Sequence, residues 1–163
     1  MEKIMKTKSL YITFVLLLSI AIAHAQDSTS RMFDKFEKNK EVTTVFISKA
    51  VLGLIPSAEA SVEGVDIGKL KDKLEQLEIY SSENADACNM FRTEMEAVQR
   101  EKNVEMLMSI KDKGDTIKFY ARKDGGKIKE LLMFVNEPDE CTIIRILGSF
   151  TSDDVKKITN KGK

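Results

Sequence analysis

Apolar and polar side chains follow a regular pattern in the last third of the chain. They largely alternate over residues 104–111 and 115–122, whereas residues 128–135 and 142–148 carry apolar side chains at successive positions. Alternation is typical of a strand with one buried and one wet face. A continuous apolar run indicates a strand near the centre of a sheet or covered on both sides. Short polar turns separate the four segments, so the pattern predicts a four-strand antiparallel meander.

Strand and helix patterns also occur earlier in the chain. Residues 42–47 are rich in β-branched side chains and predict a buried strand, and residues 77–81 predict another. Ile67, Leu70 and Leu74 recur at helical spacing, which predicts a helix that ends near residues 73–75.

Polar residues mark where further helices begin. Asn84, Ser48 and Ser152 are each placed to cap a helix. The helices that follow these caps are predicted over residues 85–101, 49–55 and 153–159, and a short helix near residues 32–40 precedes them. These elements predict an α+β fold: an antiparallel-rich sheet of five or six strands, a C-terminal four-strand meander, and helices packed on one face of the sheet.

The first 25 residues have the features of a secretory signal peptide. Three lysines precede an apolar run from Tyr11 to Ala23, which ends in Ala23-His24-Ala25. Small residues at these positions are typical of a signal-peptidase site. The alternative is an uncleaved anchor, but a run of 13 residues is shorter than the roughly 20 needed to cross a bilayer. We therefore expect residues 1–25 to be removed and residues 26–163 to form a single globular domain without a membrane span.

Composition removes several function classes. The only histidine, His24, lies in the predicted leader, and the chain has no tryptophan. Cleavage would take away three lysines and Glu2, leaving 23 basic and 25 acidic residues. A near-neutral, slightly acidic surface gives no electrostatic reason to bind nucleic acid. Without histidine, a zinc site, a haem ligand or a histidine-activated nucleophile is not expected, and we predict neither cofactor nor metal.

The two cysteines, Cys88 and Cys141, leave two interpretations open. Cys88 falls on an apolar helical stripe with Phe91, Met95 and Val98, and Cys141 opens a predicted strand. If the helix packs on the sheet, one disulfide closes a loop of about 50 residues and contributes about 4 kcal/mol. The alternative is two separate buried thiols, because free cysteine behaves as a small hydrophobe.

Three local patterns allow a chemical interpretation beside a structural one. Ser48-Lys49 has the residue types of a Ser–Lys dyad, but a helix cap explains the serine. The acidic turn at residues 137–140 offers oxygen ligands for Ca²⁺, yet it lacks the length and glycine of a calcium loop. Met106 and Met108 share one predicted strand face, which suggests copper, although packing in the core accounts for them.

Three short segments resemble a known family. They are Phe33-Asp34-Lys35-Phe36, Val42-Thr43-Thr44-Val45-Phe46-Ile47-Ser48-Lys49 and Gly126-Lys127-Ile128-Lys129-Glu130-Leu131. Together they are similar to the domain of unknown function 4252 family, small exported proteins of Bacteroides-type bacteria, over about residues 32–155. The family carries no established activity, so the resemblance assigns no functional residue. It implies a Gram-negative envelope, which favours a periplasmic location over the alternative of full secretion.

The missing catalytic apparatus favours a non-catalytic binding or interaction module of the envelope. Its partner would be an envelope protein or a small ligand. We expect its contact surface at three strand positions predicted to be exposed, Lys118, Tyr120 and Arg122, or along the polar linker Ser57–Gly64.

Two alternatives belong to other classes. A small-molecule or lipid carrier requires an apolar cavity between helices and sheet, and four residues would line it: Phe46, Phe91, Met95 and Met133. A hydrolase would use carboxylate or Ser–Lys chemistry. Glu130, a charge set within an apolar strand, is the residue whose substitution tests the enzyme hypothesis.

Overall fold

The structure is a computed structural model that describes residues 28–56, 61–62 and 65–159. The chain divides into two compact units, residues 1–35 and residues 36–163. The predicted signal peptide and its cleavage site lie outside the described residues. Among the described residues, no helix combines the length and the apolar character needed to cross a bilayer.

Most elements form where the sequence patterns predict them. The helices are α1 (Ser28–Glu37), α2 (Lys49–Leu54), a 3-10 helix (Ile67–Lys73), α3 (Ala85–Gln99) and α4 (Ser152–Thr159). The strands are β1 (Thr43–Ser48), β2 (Ser61–Val62), β3 (Val65–Asp66), β4 (Leu74–Ser82), β5 (Val104–Asp112), β6 (Asp115–Asp124), β7 (Lys127–Asn136) and β8 (Cys141–Phe150). The predicted linker, Ser57–Gly64, contributes β2, which pairs with β3 in a separate two-stranded sheet.

The α+β fold with an antiparallel sheet and a C-terminal meander is confirmed. Six strands form one sheet in the order β1-β4-β8-β7-β6-β5, and every neighbouring pair is antiparallel. The strands with continuous apolar runs, β7 and β8, occupy the centre, as the sequence predicts. Gly125 and Gly126 both have positive φ in the turn between β6 and β7, a conformation that glycine adopts without steric cost.

One face of the sheet carries the main hydrophobic core. Alternate residues of the central strands point to this face, among them Leu131, Met133 and Ile144. The 3-10 helix and the two short helices complete it with the following side chains: Leu52, Ile67, Leu70, Val155 and Ile158.

The opposite face is covered by α3, so the prediction that the helices pack on one face is not confirmed. The apolar stripe of α3 includes Cys88, which is bonded to Cys141 on this second face. Phe91 of the same stripe stacks against Phe36 at 4.5 Å between ring centroids, and Phe36 also meets Tyr80 of β4 at 5.6 Å. The sequence shows that α3 has an apolar stripe, but not which face of the sheet that stripe covers.

Helix starts agree with the predicted caps only in part. The side chain of Asn84 accepts hydrogen bonds from the N–H groups of Asp86 and Ala87, as predicted. Helix α4 is capped by Thr151 rather than Ser152: Thr151 Oγ1 accepts from the Asp154 N–H at 3.2 Å, and the Asp154 carboxylate accepts from the Thr151 N–H at 2.8 Å. Ser48 holds the N-cap position of α2, but its side chain makes no capping hydrogen bond.

Strand β5 departs from its predicted pattern. A register shift between Met106 and Met108 breaks the alternation. Met108 packs against the core, whereas Met106 and Ile110 are exposed on β5, which has no neighbouring strand on one side within the described residues. The interpretation of both methionines as core residues is therefore wrong for Met106.

Candidate functional site

A chain of buried charged side chains crosses the α3 face of the sheet. Glu130 of β7 lies at its centre with 2% of its surface exposed, and it accepts from two arginines of neighbouring strands. Arg122 Nε donates at 2.7 Å and Arg145 Nε donates at 2.5 Å, each to a different carboxylate oxygen. The two oxygens of one carboxylate therefore join β6 to β8 through β7.

Two further carboxylates close the ends of this ion network. Arg145 Nη1 donates to Glu78 of β4 at 3.1 Å, and Tyr80 Oη donates to the same carboxylate at 2.8 Å. At the other end, Arg122 forms an ion pair with Glu101, just after α3. The network thus holds two guanidinium groups and three carboxylates, a net charge of −1.

Burial and pairing act against each other on the pKa values of the network. Burial alone would lower the pKa of Arg122, but its hydrogen bonds to Glu101 and Glu130 outweigh burial and raise it. Arg145 behaves in the same way, with Glu130 and Glu78 as the opposing charges. Burial, followed by the hydrogen bond to Glu78, raises the pKa of Tyr80. All three groups therefore keep their protonated forms at neutral pH.

Such an arrangement holds a structure together and offers little for catalysis. Each arginine bridges two carboxylates, and the described residues include no buried side-chain nitrogen or oxygen without a hydrogen-bond partner. A general acid or base needs access to a substrate and a pKa near the working pH. Glu130 is 2% exposed, and each of its carboxylate oxygens already accepts from an arginine. The network ties four strands together.

The predicted contact surface is not exposed as a unit. Tyr120 has 1% and Arg122 has 7% of its surface exposed, so the expectation that both are exposed is wrong. Both lie on the sheet face that α3 covers, where Tyr120 Oη donates to Gln99 of α3 at 3.3 Å. Burial raises the pKa of the Tyr120 phenol. Lys118 is half-buried on the same face.

A shallow cleft of about 200 Å³ opens where α3 meets β6 and β7. Lys118 and Tyr120 line it from the sheet, together with Phe134. Arg92 lines it from α3 and donates through Nε to Asn136 Oδ1 at 2.7 Å. Two members of the predicted contact surface therefore belong to this cleft, whereas Arg122 belongs to the ion network.

The cavity expected of a carrier does not form from the four residues named for it. Phe91 and Met95 are buried on the α3 face, Met133 is buried in the core on the other face, and Phe46 is 60% exposed at the edge of the sheet. The cleft beside α3 includes Met95 alone of the four, and its volume is below the roughly 300–1,000 Å³ of drug-sized ligand sites.

The cysteines and the acidic turn have structural places. Cys88 and Cys141 form a disulfide that joins α3 to the first residue of β8. The turn at residues 137–140 is closed by a hydrogen bond from the Glu137 N–H to the Glu140 carbonyl at 2.9 Å. In the part of the chain that the structure describes, no three His, Cys, Asp or Glu side chains are placed to hold a metal ion.

Exposed apolar side chains are concentrated at the β1 end of the sheet among the described residues. Six large hydrophobic side chains are exposed among the described residues, and four of them fall within ten residues of sequence. They are Val45 and Phe46 of β1, and Val51 and Leu54 of α2. Because β1 ends the sheet, its outer backbone groups have no neighbouring strand within the described chain. We call residues 43–54 the edge segment.

Sequence reasoning singled out Glu130 and Arg122 without pairing them, and it missed Arg145 and Glu78. Arg145 lies between apolar residues of β8, which is the same signal that singled out Glu130, whereas β4 carries several polar residues that hide Glu78. The edge segment was also missed, because a run of β-branched residues predicts a buried strand, and only the strand order reveals that β1 is outermost.

Comparison with known proteins identifies a family and no activity. No curated protein matches the chain significantly. The family model of a domain of unknown function, DUF4252, matches residues 36–158, which include the ion network, the cleft and the edge segment. The chain therefore belongs to the DUF4252 family.

Proposed function

We propose that this protein is a non-catalytic interaction module of the cell envelope, and that it binds a partner by pairing an extended strand of the partner with β1. The exposed edge segment is the observation that carries the proposal. Proteins that bind by strand addition use the free backbone groups of an outer strand for affinity and flanking side chains for specificity.

The two outer strands of the sheet differ in how well they are protected. Strand β5 has a register shift and carries Glu105 and Lys111, features that discourage pairing with another chain. Strand β1 has neither feature: it pairs with β4 without a register shift, and all six of its residues are uncharged. An unprotected, apolar edge is a hazard for a protein unless a partner covers it.

The edge segment also specifies the chemistry of its partner. Val45 and Phe46 are neighbours in the strand, so they point to opposite faces and require apolar residues on both faces of the added strand. Exposed charges of opposite sign flank β1, with Glu41 before it and Lys49 after it. An antiparallel partner strand would therefore have an uncharged apolar centre, a basic residue beside Glu41 and an acidic residue beside Lys49.

Covalent capture in intact cells tests this proposal. The tagged protein is compared with Phe46→Lys and with the matched control Ile110→Lys on β5, and native mass spectrometry gives the size of each complex. Both residues are exposed, so either substitution should change stability by no more than about 0.5 kcal/mol. We expect one dominant envelope protein with the wild type and with Ile110→Lys, and its loss with Phe46→Lys.

Three outcomes contradict the proposal. Equal capture by Phe46→Lys would place the contact elsewhere, and no captured protein would remove the interaction hypothesis. A complex of two copies that Phe46→Lys dissolves would replace the envelope partner with self-association. Mass spectrometry of the protein from the periplasmic fraction also tests export, because the mass shows where the chain begins. We expect a chain that begins at Gln26.

A further inference from the structure

The cleft between α3 and strands β6 and β7 is lined by two cations, Arg92 and Lys118, that form no ion pair among the described residues. Arg92 donates to the amide oxygens of Asn136 and Asn89, both at 2.7 Å, and both acceptors are uncharged. Lys118 lines the same cleft from β6. Within the described chain, neither cation forms an ion pair with a carboxylate. This differs from the ion network, in which every arginine bridges two carboxylates.

The hydrogen bonds of Arg92 also orient a third donor. A guanidinium group can only donate, so the amide oxygen of Asn136 must face Arg92. The amide NH₂ of Asn136 is then left to donate elsewhere, and Asn136 lines the cleft. The hydroxyl of Thr116 lies in the same lining. The cleft therefore gathers two cationic donors and two neutral ones.

The other residues that line the cleft restrict which kind of anion can bind there. Met95, Tyr120 and Phe134 are buried side chains that present apolar surface to the cleft. A ligand that covers this surface gains from an apolar body, while the small volume excludes a lipid. Glu96 also lines the cleft, with its carboxylate 3.7 Å from Arg100. Its negative charge repels a doubly charged anion such as hydrogen phosphate more strongly than a singly charged one.

We propose that this cleft binds a small organic monocarboxylate. The carboxylate lies between Arg92 and Lys118, and the apolar part of the ligand covers Phe134. The planar fork of the guanidinium suits two carboxylate oxygens, and lysine adds a second positive charge. This site lies beside β6 and β7, away from the edge segment on β1, and it is independent of the proposed partner interaction.

Calorimetric titration of the purified protein with benzoate tests the site. Benzamide is the matched neutral probe, because it has the same ring and lacks the charge, and inorganic phosphate is the probe for a dianion. We expect benzoate to bind, benzamide to bind at least tenfold more weakly, and phosphate to bind more weakly than benzoate. Lys118→Met should weaken benzoate binding at least tenfold. Lys111→Met, at an exposed position of β5 outside the cleft, should leave it within twofold.

Each remaining outcome overturns the assignment. No heat with benzoate, equal binding of benzamide, or tighter binding of phosphate would each exclude a monocarboxylate site. Unchanged affinity in Lys118→Met would place the ligand elsewhere. Thermal unfolding of Lys118→Met checks its fold, and Arg92→Gln repeats the test from the helix side if that variant is unstable.

Discussion

Replacing Glu130 with glutamine removes the one charge that joins the two buried arginines of the ion network. Glutamine keeps the shape of the side chain and one acceptor oxygen. Its amide NH₂ then faces a guanidinium donor where a carboxylate oxygen stood. One of the two charged hydrogen bonds of Glu130 is lost, and the other becomes a bond to a neutral oxygen.

The size of the effect follows from what the arginines retain. Removing one partner of a buried ion pair costs about 3–5 kcal/mol when it leaves the other charge uncompensated. In Glu130→Gln, Arg122 still has Glu101 and Arg145 still has Glu78. We therefore expect the low end of this range, a loss of about 3 kcal/mol in the free energy of unfolding.

Urea denaturation followed by circular dichroism measures this loss. With an m value of about 2 kcal/mol/M, a loss of about 3 kcal/mol lowers the midpoint by about 1.5 M. The control is Glu105→Gln, which breaks an exposed ion pair with Lys123 and should cost no more than about 1 kcal/mol. If both variants lose the same free energy of unfolding, the buried ion network does not stabilise the sheet more than an exposed ion pair does. Partner capture by Glu130→Gln should be unchanged, because Glu130 is buried on β7 and lies outside the edge segment.

Three further changes test other parts of the fold. Replacing Cys88 and Cys141 together by alanine should lower the free energy of unfolding by about 2–5 kcal/mol, and reduced wild-type protein should behave like the variant; equal stability of oxidised and reduced protein would contradict this. Gly148→Ala would press a methyl group against the Lys73 carbonyl oxygen, and urea denaturation should show a loss of about 1–3 kcal/mol in the free energy of unfolding. An unchanged midpoint would mean that the 3-10 helix moves to make room for the methyl group. The hydrogen bond from Lys73 lowers the pKa of Asp154, so the stability that this bond gives is present above the ordinary carboxyl pKa near 4 and is lost as the pH falls further. The melting temperature of Asp154→Asn should therefore fall less steeply with acid than that of the wild type. Parallel curves of melting temperature against pH for the two proteins would refute this reasoning.

The hydrophobic pattern predicts strands and helices better than it predicts what covers them. Continuous apolar runs correctly place β7 and β8 in the middle of the sheet, because only central strands are buried on both faces. The same logic misplaces Tyr120 and Arg122, since a polar residue in an alternating strand is read as exposed. Burial of Arg122 depends on partners from two other segments, Glu130 and Glu101, which alternation within one strand cannot reveal.

The architecture limits where this protein can bind anything. Helices cover both faces of the sheet, and the charges beneath α3 are satisfied by one another. Because both faces of the sheet are covered, its two outer strands and the margins of the covering helices are where the described part of the sheet meets solvent. Of the outer strands, β5 is protected by charges and a register shift, whereas β1 is uncharged and exposes Val45 and Phe46. At the margin of α3, the cations of the cleft form no ion pair among the described residues, unlike Arg122 and Arg145 of the ion network. The proposed contacts at β1 and in the cleft follow from this contrast between paired buried charges, an uncharged outer strand and cations without carboxylate partners among the described residues.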